Sequence, residues 1–286
     1  MKDLLRTEHL SRGDVDTILT TAREFASNPL KAHHTLAGKS VAIYMTKPST
    51  RTRLASETAV AHLGGHPIFL RSDDLQLGRG ETIADTARVI SGFADAMIIR
   101  TFKQSDVDEL GRHATIPVIN GLTDEDHPTQ LLADWTTIFE HFGSDIAGRK
   151  FAPQGRFAPD TNAVKKAQEI ATTSGARIEV VHDAKEAASG ASVLYTDVWM
   201  SMGDPESDRS EKIQALAPFK VDDSLMKLAA SDAVFMHCLP AHREEEVATT
   251  VIDGARSLIW RQAFHRRTTI QAILFHLLRG DLKGRK

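Results

Sequence analysis

Short apolar runs of strand character alternate with amphipathic helical stretches along almost the whole chain. Val41–Met45, Pro67–Leu70, Ala96–Arg100 and Pro117–Asn120 read as strands. Between and around them, Asp14–Ser27, the stretch ending at His62, Glu81–Phe93, Ser105–His113 and a long segment from about Pro128 to Phe142 carry helical periodicity. Strands separated by helices of this length cannot pair as hairpins. They form a parallel sheet covered on both faces. The second half repeats the alternation, with helices expected at Ala163–Ser174, Ala184–Ser189 and about Thr268–Leu278. Strands are expected at Arg177–Val181, Val193–Val198 and Ala233–Cys238, with Leu258–Trp260 as a short last one.

The fold class is therefore α/β, in two domains each built on a parallel sheet flanked by helices. At 286 residues the chain has room for two ordinary domains. The reading divides it into 1–144, 145–264 and a C-terminal helix, 265–286, packing back on the first domain. Lys and Arg total 35 against 38 Asp and Glu, so there is no basic excess of the kind a nucleic-acid binder carries. No apolar run reaches membrane-spanning length, and no apolar leader follows Met1. The single cysteine, Cys238, precludes an internal disulfide and suits a reducing, cytoplasmic compartment.

Five polar segments fall where strands end, which is where open parallel sheets bind ligands. Ser49-Thr50-Arg51-Thr52-Arg53 follows a strand and opens a helix. Hydroxyls and guanidiniums beside a helix N-terminus make an anion site, and the plainer alternative is a capped helix with solvated arginines. Arg100 closes a buried strand and is either a solvated terminus or a ligand group. His127-Pro128-Thr129-Gln130 starts a helix with a residue that is a poor N-cap, so His127 is a candidate for polarising a carbonyl. Asp197 begins a polar loop running to Gly203 that would suit an ammonium, or is an ordinary loop. His237-Cys238-Leu239-Pro240 ends the last strand, with Cys238 either inert or chemically engaged. The chain has no Walker A loop, no dinucleotide fingerprint and no His-Glu-x-x-His, and no metal or cofactor is expected.

Taken in order, Ser49–Arg53, Gln76–Glu81, Asp85–Arg88, Arg100–Phe102, His127–Gln130, Asp197–Gly203 and His237–Pro240 resemble the aspartate/ornithine transcarbamoylase family, and within it the branch that uses ornithine. The resemblance implies transfer of a carbamoyl group from carbamoyl phosphate to the δ-amine of L-ornithine, giving L-citrulline and phosphate without a cofactor. It implies that Ser49, Thr50, Arg51 and Thr52 hold the phosphate and that Arg100, His127 and Gln130 bind the carbamoyl group. Arg266 stands where the family has an arginine near carbamoyl phosphate. Asp197, Ser201 and Met202 would hold the amino-acid end of ornithine, and Cys238 and Leu239 would lie beside its reacting amine. A homotrimer is implied as well. Other acceptor amines, and a relative that binds carbamoyl phosphate without turnover, are the alternatives.

One departure from the family is large. After Gly148-Arg149-Lys150 the chain runs directly into Phe151–Pro159, and roughly one strand–helix–strand unit of about 30 residues is missing from the second domain. The family's asparagine-bearing turn, which helps bind ornithine, goes with it. Loss of a central strand exposes the edges of its neighbours. Smaller departures are Ala55-Ser56 in place of Ser-Phe, Glu244 in place of Gly, and Arg261, Phe264 and His265 in place of an acid, an acid and an amide.

Overall fold

The computed structural model describes residues 1–73, 80–154, 159–200, 205, 207 and 209–285. It divides into two compact units, Met1–Asp145 with Arg261–Lys286, and Ile146–Trp260.

In the first unit, strands β1 (Ser40–Met45), β2 (His66–Arg71), β3 (Ala96–Arg100) and β4 (Val118–Leu122) form a parallel sheet in the order β2-β1-β3-β4. The period-two alternation of a strand sends its side chains to two separate cores. Val41, Ile43 and Met45 of β1 join Ala96, Ile98 and Ile119 on one face, against α1 (Arg12–Ser27), α2 (Thr50–His62), α5 (Pro128–Phe142) and α11 (Ile259–Arg279). Ala42 and Tyr44 join Met97, Ile99 and Val118 on the other face, against α3 (Ile83–Ser91) and α4 (Gln104–His113). β1 and β3 are buried on both sides because every residue of Ala96–Ile99 and Val41–Met45 is apolar. Burial of each large aliphatic side chain there stabilises the fold by about 1.5–3 kcal/mol.

Local signals start and stop these helices. Ser11 and Asp14 form a reciprocal capping box at α1, and Thr82 caps α3. Pro128 occupies the first position of α5, and Gly143, at φ 84°, ends it. Gly64 follows α2 at φ 83°, and a Cβ on it would overlap the His33 carbonyl oxygen, so only glycine fits the turn into β2.

In the second unit, β5 (Phe151–Gln154), β6 (Val193–Thr196) and β7 (Val234–His237) pair in parallel in that order. Ala152, Leu194 and Phe235 form one core with residues of α7 (Ala184–Ala188), α9 (Asp223–Leu228) and α10 (Thr249–Ile252). Also in this unit are α6 (Thr161–Ser174) and α8 (Arg209–Leu216).

Two strand expectations are corrected here. Arg177–Val181 has no regular secondary structure and belongs to no sheet, and Ile178 and Val180 are exposed. Leu258–Trp260 is no strand either: α11 begins at Ile259, earlier than the expected Thr268. β5 is a strand that the apolar pattern did not single out. Among the described residues, no helix is long and apolar enough to cross a membrane.

Candidate active site

β1 runs into α2, β2 lies on one side of β1, and the chain then returns to β3 on its other side. The crevice beyond the carboxyl ends of β1 and β3 is therefore a topological switch point, where such sheets bind ligands. Thr46 N–H donates to the Arg100 carbonyl at 2.9 Å and ties the two strand ends together. Ser49 caps α2, its Oγ accepting from Thr52 N–H at 3.3 Å. Thr50 and Arg51 begin the first turn, where N–H groups lack intrahelical acceptors.

Thr52 is fully buried, and its hydroxyl receives two guanidiniums. Arg100 donates to Thr52 Oγ1 at 3.3 Å and Arg266 at 3.1 Å. Arg266 comes from α11, far away in sequence, and donates also to Gln130 Oε1 at 2.6 Å and Thr129 Oγ1 at 3.4 Å. Gln130 in turn donates through Nε2 to Asp134 at 2.7 Å, and Gln262 does the same at 2.7 Å. A carboxylate only accepts, so Asp134 obliges Gln130 to turn its carbonyl oxygen toward Arg266.

Arg100 and Arg266 are almost fully buried, so two positive charges lie close together beside the positive end of a helix dipole. His127 registers that field. Burial, then the charges of Arg266 and Arg100, hold its pKa well below the usual histidine value, and the ring is neutral at pH 7. Its Nδ1 lies 3.3 Å from Thr129 Oγ1. A positive, partly desolvated crevice with a neutral imidazole on its wall is suited to a phosphorylated ligand whose carbonyl is to be polarised.

In the second unit, Asp197 follows β6 and Cys238 follows β7. Cys238 Sγ donates to Asp197 Oδ1 at 3.0 Å, and Val198 N–H donates to the same oxygen at 2.7 Å. Leu239 sits at φ 61° ahead of a cis bond to Pro240, a left-handed backbone that a branched residue adopts only under constraint. Its N–H donates to His237 Nδ1 at 2.8 Å. Ser201 and Met202, and Gln76–Arg79 of the family-like segments, lie outside the described residues.

The model of the aspartate/ornithine carbamoyltransferase carbamoyl-phosphate-binding domain matches residues 2–140, and that of the Asp/Orn-binding domain matches 124–277. The chain belongs to the aspartate/ornithine carbamoyltransferase family. An ornithine carbamoyltransferase of Pyrococcus horikoshii is 43% identical, over 99% of this chain and 98% of its own length. An anabolic ornithine carbamoyltransferase of Pyrococcus furiosus is also 43% identical, over 99% and 98%. The solved ornithine carbamoyltransferase structure from Pyrococcus furiosus superposes with a TM-score of 0.92 at 42% identity, covering 99% of this chain and 98% of that one. The alignment to the Pyrococcus horikoshii relative runs over 311 positions whereas this chain has 286 residues, so at least 25 aligned positions face a gap in it.

Within this carbamoyltransferase the structure gathers Ser49, Thr52, Arg100, His127, Gln130 and Arg266 around one crevice of the first unit. It pairs Asp197 with Cys238 in the second. The motif reading passed over Thr129, Asp134 and Gln262. Asp134 stands four residues beyond Gln130 and Gln262 four before Arg266, so each shares a helix face with its neighbour, a spacing that could have pointed to both.

Proposed function

We infer that this chain transfers the carbamoyl group of carbamoyl phosphate to the δ-amine of L-ornithine, releasing L-citrulline and phosphate. The observation that carries this reading is the convergence of Arg100 and Arg266 on Thr52 at the N-terminus of α2, beside a histidine kept neutral by burial first and then by these two charges. The phosphate of carbamoyl phosphate binds at the helix N-terminus, on Ser49, Thr50, Arg51 and Thr52. Arg266 neutralises the phosphate charge. Arg100 and the neutral His127 take the carbonyl oxygen, and Gln130 orients the carbamoyl end through its bond to Arg266.

Asp197, Ser201 and Met202 hold the α-amino-acid end of ornithine, and Cys238 and Leu239 flank its side-chain amine. The neutral δ-amine attacks the carbamoyl carbon, forming a C–N bond and a tetrahedral oxyanion held by Arg100 and His127. Collapse breaks the C–O bond to phosphate, and the departing phosphate carries away the amine proton. Cys238 is a contact beside the amine and forms no covalent bond. Catalysis rests on holding two ligands in register and on fixed donors around the developing charge.

The family resemblance and the lone cysteine favour a cytoplasmic homotrimer, which light scattering of the purified chain tests. The site reading is tested by calorimetric titration of carbamoyl phosphate into the wild-type chain and Arg266→Met. Loss of a charge-assisted contact to phosphate is expected to weaken binding by at least about tenfold. Equal affinities would remove Arg266 from the phosphate site.

A further inference from the structure

Beyond β7 the chain turns back at His242–Val247, and this turn holds a side-chain cluster the transfer reaction does not use. Glu246 is completely buried. Its Oε1 accepts from His242 N–H at 2.5 Å and lies 3.2 Å from His237 Nε2. Leu239 N–H can only donate, so His237 accepts at Nδ1, carries its proton on Nε2 and meets Glu246 as a neutral donor. Glu246 Oε2 is buried and has no hydrogen-bond partner. A buried carboxylate that faces only neutral donors on one oxygen and nothing on the other is costly.

Two further atoms beside it share the defect. Glu245 gives Oε1 to Arg209, but its Oε2 is buried and makes no hydrogen bond. His242 Nδ1 is also buried without a hydrogen-bond partner, 3.8 Å from Glu245 Oε2. One ligand atom from each of His242, Glu245 and Glu246 lies within 4.8 Å of the others. Thus one imidazole nitrogen and one oxygen from each of two carboxylates come together, three buried atoms of these side chains lack a hydrogen bond, and the Arg209 guanidinium is paired with Glu245. A neutral water would satisfy the hydrogen bonds and leave the charge uncompensated. A cation satisfies both.

We propose that His242, Glu245 and Glu246 bind a divalent transition-metal ion. Two ligand atoms 3.8 Å apart are placed as they would be about 2.1 Å from a shared ion. One imidazole with two carboxylates is a donor set that suits zinc, manganese, iron or cobalt better than calcium or magnesium. The ion would anchor the turn that holds Glu246 against His237, the residue preceding Cys238.

Co²⁺ alone, titrated into the full chain at neutral pH and followed by calorimetry and absorption, tests this. One equivalent should bind with micromolar affinity and without a thiolate-to-cobalt charge-transfer band. His242→Ala and Glu245→Gln should each weaken binding by about tenfold or more, as loss of a ligand does. Both side chains reach the surface, at 40% and 24% exposure, so both variants should fold, and a thermal melt checks that they do. Cys238→Ser should bind as wild type does. That separates this cluster from Asp197, His237 and Cys238, whose ligand atoms also lie within 4.8 Å of one another. No binding by the wild-type chain below millimolar Co²⁺, binding untouched in both His242→Ala and Glu245→Gln, or binding lost in Cys238→Ser would each overturn the proposal.

Discussion

Ser56 shows what one misplaced hydroxyl does. It lies on α2, four residues beyond Thr52, completely buried and with its Oγ unbonded. The family pattern has Phe at this position, so this chain has exchanged a packed ring for a small polar group. Ser56→Ala removes the desolvated hydroxyl and is expected to raise stability by about 1 kcal/mol in urea unfolding. Unchanged or lower stability would mean that the hydroxyl makes a bond worth keeping. Glu244, which stands where the family has Gly, occupies the left-handed region at φ 68°. Lys220 and the Thr249 N–H both reach its carboxylate, which holds its pKa down to about 2 and gives the strained residue local contacts that a glycine would lack.

At the scale of elements, α5 and α11 are clamped together by polar groups at successive turns. Arg266 meets Gln130, Gln262 meets Asp134, and Arg261 forms a two-pronged ion pair with Glu140, which also meets His265 Nε2 at 3.0 Å. Arg261 and His265 replace an acid and an amide of the family pattern, and Glu140 supplies the acid from the facing helix. Arg261 first, then His265, draws the Glu140 pKa from 4.5 to about 2. Its folded pKa lies below its unfolded one, so the stability it contributes is present above about pH 4.5 and drains away toward pH 2. Arg261→Ala should therefore be less stable than wild type at pH 7, with the gap narrowing at pH 3.5 in urea titrations. A gap that stays constant with pH would contradict the pairing.

The elements also differ in how legible they were. β1 and β3 declare themselves because strands covered on both faces must be apolar throughout. The apolar period starts α11 about nine residues late because its first turns, Arg261 to Arg267, carry polar side chains that serve the clamp to α5 and so lack an apolar stripe. The motif segments named Thr52, Arg100, His127 and Gln130 as candidates, and the first unit brings these side chains together. What they could not carry is the geometry: that Arg100 and Arg266 share one hydroxyl, or that Asp134 sets the orientation of Gln130.

At the scale of the molecule, the two units are unequal in completeness. Among the described residues, the second sheet has three strands, and α6 buries only Ala171 of its fourteen residues. Arg177–Val181 has the β-branched composition of a strand yet pairs with nothing in a sheet. Loss of the strand–helix–strand unit expected from the sequence, in keeping with the 25 or more aligned positions that face a gap, would account for all three features. A strand needs an adjacent edge, and removing a central strand with its helix leaves the outer segment without a partner and α6 without a face to cover. Hydrogen exchange should accordingly be fast at 177–181 and slow in β6 and β7. Protection at 177–181 equal to that of β7 would show that the segment has found a sheet.

The second unit lies within the match to the Asp/Orn-binding domain model, so a lesion there is expected to show first in turnover. The decisive measurement is citrulline formation from carbamoyl phosphate and L-ornithine by the purified 286-residue chain, its intact mass verified. Citrulline and phosphate are expected in equal amounts, with the rate reduced by a factor of about a hundred or more in Arg100→Met, which on the proposed mechanism loses a donor to the developing oxyanion. A folded chain of the correct mass that binds carbamoyl phosphate and forms no citrulline would contradict that mechanism.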